Sequence, residues 1–303
     1  MSKIVKVVNI CYNETGDVFM KDTLVMNVEC FNLKDTLECG QCFRWEENED
    51  WYTGVIKDRV LKLKQEKNKL YVKSSNMEDL EQVVKNYFDL DIDYKKIEDE
   101  ISLIDENVKK AVKNTSGIRI LNQDLFEMIM SYIISANNNI PRISRSIKDI
   151  SKKYGKKIVF ENEEYYLFPT IQELANVTEE DFQKTGVGFR ARYLKNTVKD
   201  ILDGKFWVED VNNLETKEAK EKLQKLQGVG PKVSDCILLF SCGRKEVFPI
   251  DVWVERVMHN LYFKNSTKRV RKNDILEYAT SNFGAYAGVV QQHLFHNIRN
   301  NLI

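Results

Sequence analysis

Leu226-Gln227-Gly228-Val229-Gly230-Pro231-Lys232, followed by Pro249-Ile250-Asp251-Val252, is the stretch on which the fold turns. Residues 216 to 226 carry Thr216, Leu223 and Leu226 amid lysine and glutamate, an amphipathic helical pattern. Lys232 to Cys242 places Val233, Cys236, Ile237 and Phe240 at helical spacing. The glycines between them sit in a tight helix-to-helix turn. Gly228 and Gly230 permit positive φ and leave the amide edge uncovered, so consecutive N–H groups can point at an anion beside the second helix. Such a hairpin can hold one nucleic-acid phosphate without reading bases. Pro231 suits the first helical turn, where its missing N–H is no loss.

Lys232 follows at the positive end of that helix, where the dipole and partial burial disfavour the ammonium form and favour a nucleophilic amine. The second helix spans on the order of 16 Å. The segment from Gly243 to Ile250 reaches roughly 25 Å when extended, enough to return along the helix and set Asp251 beside Lys232. Asp251 then opens a further helix, Val252 to Phe263, where a carboxylate is stable as an anion. Singly, each feature has a plainer reading: glycine as a C-cap, lysine as a solvated charge, aspartate as an N-cap. Their order and spacing together favour chemistry.

The run LQGVGPKVSDCILLF followed by VFPIDVWVERV resembles the helix-hairpin-helix, Gly/Pro-rich loop and aspartate of the base-excision DNA glycosylases, with the lysine of the bifunctional members. Two further segments, Glu38-Cys39-Gly40-Gln41-Cys42-Phe43-Arg44-Trp45 and Ser135-Ala136-Asn137-Asn138-Asn139-Ile140-Pro141-Arg142-Ile143, resemble the 8-oxoguanine DNA glycosylase family. With Phe189-Arg190-Ala191-Arg192-Tyr193 and Gln291 to Phe295, the matching segments run from residue 37 to the C-terminus.

That resemblance implies double-stranded DNA containing 8-oxoguanine as the partner. Lys232 attacks the sugar, displaces the base and leaves a Schiff base that permits strand cleavage; Asp251 stabilises positive charge on the sugar and orients Lys232. Gly40 offers a backbone carbonyl to N7–H of the damaged base, a hydrogen that guanine lacks; Gln291 bonds the pairing edge, and Phe295 and Cys236 sandwich the ring. Asn137, Arg142 and Arg190 hold the orphaned cytosine, and Phe189 wedges between bases, where the family often has tyrosine. Gly228 and Gly230 face the DNA backbone. Trp253 stands where a histidine is common in the family, a departure that bears on pocket or phosphate contacts there. No dissociable cofactor is needed; the resemblance allows a monovalent cation on the hairpin carbonyls.

Composition sets bounds. The 303 residues suffice for one large unit or two domains, and 43% hydrophobic residues can bury a sizeable core. No run of eighteen apolar residues and no signal-peptide core occurs, so a cytoplasmic monomer without membrane contact is expected. Equal numbers of basic and acidic residues, 46 each, count against holding nucleic acid by bulk charge. Basic clusters at Arg142, Arg145 and Lys148, at Arg190, Arg192 and Lys195, and at Lys268, Arg269, Arg271 and Lys272 support DNA binding weakly, since such clusters are usually solvated faces. The cysteines are 11, 30, 39, 42, 236 and 242. Cys39-Gly40-Gln41-Cys42 has metal-knuckle spacing without a second pair, so neither zinc nor an iron–sulfur cluster is expected.

The first third reads as strands: Ile4 to Ile10, Thr23 to Phe31, Gln41 to Trp45, Trp51 to Ile56, Arg59 to Lys64 and Lys69 to Lys73. Helices are expected from about Met77 to Tyr87 and from Tyr94 to Val112. Beyond Asn114-Thr115-Ser116-Gly117 the pattern is helical, and all four prolines (141, 169, 231, 249) fall at or just before helix starts. The expected class is α+β, an N-terminal antiparallel β-sheet domain with flanking helices over residues 1–116, followed by an all-helical domain over 117–303 containing the hairpin. Three rivals stand beside the glycosylase/lyase. A binding module has no use for Lys232 with Asp251 or for Gly40 and Gln291; a monofunctional alkyl-base glycosylase has no use for Lys232; a helical interaction protein does not explain the shared motifs.

Overall fold

The computed structural model describes residues 5–10 and 20–302. Ile4, where the first strand was expected to open, and Cys11 lie outside them. Six strands form one antiparallel sheet: β1 Val5–Ile10, β2 Met20–Asn27, β3 Trp45–Asn48, β4 Trp51–Ile56, β5 Arg59–Glu66 and β6 Lys69–Ser74, in the order β1-β2-β6-β5-β4-β3. Two-residue turns join β3 to β4, β4 to β5 and β5 to β6, with Glu49, Lys57 and Lys67 in the left-handed region. Alternation buries Leu61, Leu63, Leu70 and Val72 against Leu80, Val84 and Phe88 from the helix Leu80–Tyr87 and its end.

A helical unit with a separate core follows. The helices Tyr94–Ile101 and Glu106–Thr115 bury their apolar faces in that core, the second of them against Ala287–Arg299. The single helix expected from Tyr94 to Val112 is thus two. Asp105 supplies the reason: its carboxylate caps the second, accepting from Asn107 N and Val108 N at 2.8 Å.

Two other expectations fail instructively. Gln41 to Arg44 is an irregular loop, and β3 starts only at Trp45; a short helix, Leu33–Glu38, precedes the loop. A second hairpin, β7 Lys157–Phe160 with β8 Glu163–Tyr166, was not anticipated. It straps the two units together: Glu161 pairs with Lys62 and Lys73 at 2.6 and 3.2 Å, and Arg44 donates to Tyr166 O at 2.5 Å while facing Glu127. Among the described residues no helix is long and apolar enough to cross a membrane.

Candidate active site

The hairpin forms as its sequence requires. The helix Thr216–Leu223 leads through Leu226–Gly230 into Pro231–Ser241. Across the turn Lys220 pairs with Asp235 at 2.9 Å. Burial nevertheless pushes the Asp235 carboxyl up to about 6. The glycines differ from each other. Gly228 has φ +89°, and a Cβ there would come within 2.6 Å of the Tyr193 ring. Gly230 has φ −95° and ψ −177°, extended backbone open to any residue, which corrects the expectation of positive φ at both. It is the N-cap of the second helix and supplies no side-chain cap, and nothing lies within 4 Å of where its Cβ would stand. The first-turn amides of that helix therefore receive no side-chain cap from Gly230.

Lys232 is half-buried, its Nζ 5.4 Å from the centre of the Tyr132 ring. One turn on, Cys236 is buried, and burial pushes its thiol up to about 11 while Lys232 pulls the other way. The chain then returns as expected. Asp251 caps Val252–Tyr262, its Oδ1 accepting from Val254 N at 2.8 Å. Capping and chemistry are compatible here, because the same hydrogen bond that starts the helix fixes the carboxylate at the cavity wall. Lys232, Cys236 and Asp251 share one cavity of about 50 Å³ with Gly40, Gln291 and Phe295. That is the room of a few waters. Larger clefts of about 550 and 960 Å³ hold none of the expected site residues.

Gly40 is required on two counts. Its φ is +85°, and a Cβ would meet Phe295 Cε1 at 3.3 Å and Arg299 Nη1 at 3.5 Å. What fixes this loop is Gln41, fully buried. Its Nε2 donates to Thr36 O and Arg119 O at 2.9 and 2.8 Å, and its Oε1 accepts from Leu121 N at 2.9 Å. Its carbonyl accepts from Gln123 Nε2 at 2.8 Å and from Tyr132 Oη at 3.3 Å. Gln41, Tyr132 and Gln292 are cavity-building residues that sequence reasoning missed. Gln41 stood within a quoted motif, whereas Tyr132 lies on Leu125–Ser135, a helix buried on nearly every side and so without a telling face. Cys39 and Cys42 are buried free thiols donating to Thr36 O and Leu37 O at 3.3 Å, and burial pushes the Cys39 thiol up to about 12. Among the described residues no group of three or more His, Cys, Asp or Glu side chains is placed to hold a metal.

The residues expected to face the opposite strand lie along one edge. Asn137 is exposed with φ +52°, Asn138 donates to Ile134 O at 3.0 Å, and Asn139 caps Ile140–Tyr154 by accepting from Arg142 N at 3.1 Å. Arg142 is exposed, and so is Phe189, at 58%. Arg190 is not: only 5% exposed, it lies 4.4 Å from the Phe189 ring centre. It donates to Ala136 O, to Asn137 O at 2.8 Å and to Val187 O at 3.1 Å. Burial first, and Arg142 second, lower its pKa. Two residues beyond Asp251, Trp253 is half exposed, with the Arg256 guanidinium 5.3 Å from its ring.

Residues 23–129 match the model of the 8-oxoguanine DNA glycosylase N-terminal domain, and residues 130–279 that of the HhH-GPD superfamily of base-excision DNA repair proteins. A probable N-glycosylase/DNA lyase of Methanothermobacter thermautotrophicus is 33% identical, covering 73% of this chain and 75% of its own length. The N-glycosylase/DNA lyase of Saccharomyces cerevisiae is 30% identical, over 82% of this chain and 74% of its own. Among solved structures, the 8-oxoguanine glycosylase/lyase of Clostridium acetobutylicum is similar with a TM-score of 0.89 and 42% identity over 93% of this chain and 97% of that one. That protein was captured on double-stranded DNA containing cytosine opposite 8-oxoguanine. With both halves matched and relatives of this identity over about three quarters of their length, the chain belongs to the 8-oxoguanine DNA glycosylase family of helix-hairpin-helix base-excision repair proteins.

Proposed function

We propose that this protein is a bifunctional 8-oxoguanine DNA glycosylase and abasic-site lyase acting through Lys232. The hairpin amides around Gly230 take a phosphate, and the lesion turns out of the duplex into the cavity. Phe295, partly buried, forms one wall of that cavity. Gly40 O accepts from N7–H of the lesion, Gln291 bonds the pairing edge, and Cys236 and Phe295 flank the ring. Lys232 Nζ then forms a bond to C1′ as the bond from C1′ to N9 breaks and the base departs with the electron pair. Opening of the sugar gives an imine; loss of a 2′ proton expels the 3′ phosphate by β-elimination, and water returns the lysine. Asp251, held by its helix cap, stabilises positive charge on the sugar.

Asn137, Arg142, Phe189 and Arg190 are assigned to the opposite strand, with cytosine as the preferred partner base. No dissociable cofactor enters these steps. The observation that carries this reading is the meeting of Lys232 and Asp251, nineteen positions apart and on different helices, in one cavity with Gly40 and Gln291.

Borohydride trapping on a duplex with 8-oxoguanine opposite cytosine tests it. Wild type forms a covalent adduct, and Lys232→Gln forms none and loses excision by on the order of a thousandfold or more. Excision by wild type without an adduct assigns the chemistry to water and Asp251; neither excision nor adduct leaves a binding module.

A further inference from the structure

The helix Ala287–Arg299 presents more to the cavity than the family resemblance supplied. Phe295 follows Gln291 by four residues and Gln292 by three, so all three lie on one face. Gln292 is 3% exposed and lines the cavity with Gln291, which is 4% exposed. Gln292 Nε2 donates to Gln291 Oε1 at 2.8 Å. Gln292 Oε1 is buried and has no hydrogen-bond partner among the described residues. A buried acceptor left unmade carries its full desolvation penalty, and an apolar side chain of the same length would fill the place without that cost. A glutamine here therefore points to a donor that arrives from outside the protein.

On the reading of this cavity as the base pocket, we propose that Gln292 is a second reader of the flipped base's pairing edge. Its Oε1 accepts from the exocyclic 2-amino group, the donor that marks a guanine edge beside its O6 acceptor. Its Nε2 holds Gln291 Oε1, which leaves Gln291 Nε2 free to donate to O6. Turning over either amide alone breaks the link between them, so each side chain fixes the orientation of the other. Two coupled amides give the pocket an acceptor and a donor in fixed order, and that order matches a guanine-type lesion. Gln292 is a specificity residue; it makes no bond to the reacting sugar.

The experiment compares wild type with Gln292→Met, which keeps the length of the side chain and removes both polar ends. Single-turnover rates are measured on three duplexes, carrying 8-oxoguanine, 8-oxohypoxanthine (which lacks the 2-amino group) or a preformed abasic site, each opposite cytosine. Wild type is expected to favour 8-oxoguanine over 8-oxohypoxanthine by about tenfold or more, the discrimination given by an unpaired buried partner. In Gln292→Met that ratio approaches one through slower removal of 8-oxoguanine, while abasic-site cleavage stays within about twofold. An unchanged ratio, or an equal loss on all three duplexes, overturns the proposal and assigns Gln292 to packing. Wild type that cleaves the abasic site yet ignores 8-oxoguanine would sink the base-pocket reading itself, and Gln292 with it.

Discussion

The cavity around Lys232 and the edge that carries Phe189 solve different problems. In the cavity the polar groups are held by the protein: Gln41 pins the Gly40 loop with bonds to Arg119 O and Leu121 N, Asp251 is fixed by the Val254 amide, and Gln291 is tied to Gln292. Along the edge, Asn137 and Arg142 are exposed and Phe189 stands in solvent. Chemistry at a sugar needs donors and acceptors in place before the reaction, so the cavity is preorganised. On the proposed reading the edge fills a gap in stacked bases, which needs side chains that can move into it; the edge keeps its side chains free and fixes only the backbone beneath them. Arg190 does that fixing: it ties the carbonyls of Ala136, Asn137 and Val187 together.

The largest effect expected from breaking that contrast is at Arg190. Arg190→Met leaves three carbonyls without their charged donor and should lower stability by about 2–3 kcal/mol, seen in denaturant unfolding. It should also abolish preference for cytosine while leaving abasic-site cleavage near wild type. A variant as stable as wild type would show that the edge backbone holds itself.

Acid next distinguishes two of the helices that build the cavity. His293, on the helix that bears the paired glutamines, is fully buried with Nδ1 2.8 Å from Thr115 Oγ1. Burial pushes its pKa from the ordinary 6.5 down to about 4, with His296 adding to the effect and Glu98 and Asp35 opposing it. The unfolded chain therefore takes the proton first, and the stability His293 contributes is present above about 6.5 and lost as pH falls toward 4. Between pH 7 and 5 this amounts to about 2 kcal/mol. Asp235 runs the other way: raised from 3.8 to about 6, it favours the folded state when protonated, and that gain is lost as pH rises through about 6. Unfolding at pH 7 and 5 should show a smaller acid loss in His293→Asn than in wild type, and a larger one in Asp235→Asn. Parallel losses in all three would remove both assignments.

Phe189 gives a smaller effect, confined to binding. On a Lys232→Gln background, Phe189→Ala should weaken affinity for the lesion duplex by about tenfold, the value of one lost stack. Its stability should move by no more than about 0.5 kcal/mol, since the ring is exposed. Phe189→Tyr should bind as wild type does.

Legibility in the sequence follows the same division. Local punctuation was readable: Pro231 in the first turn of its helix and Asp251 as a cap act within a few residues. The Gln41 to Arg44 segment was misread as strand because its conformation is set by partners 78 and 80 residues away, at Arg119 and Leu121. The β7–β8 hairpin escaped notice because Glu161 and Asn162, neither a glycine, occupy its left-handed turn. Gln292 stood within the quoted Gln291 to Phe295 segment, but what sets it apart there is an oxygen without a partner, visible only once the helix is packed.

The hairpin glycines give the sharpest separation of folding from binding. Gly228→Ala forces a Cβ into the Tyr193 ring from a left-handed backbone, so folding itself should suffer by about 1 kcal/mol or more. Gly230→Ala meets nothing within 4 Å and needs no change of φ. A methyl group there removes unfolded-chain entropy, so stability should hold or rise by about 0.4–1 kcal/mol. The same methyl stands at the N-terminal end of the helix that bears Lys232, where on the proposed reading a phosphate approaches the backbone closely. Affinity for duplex should therefore fall in Gly230→Ala even though the protein folds as well as before. If the variant binds DNA like wild type, the hairpin's phosphate contact lies elsewhere on the turn.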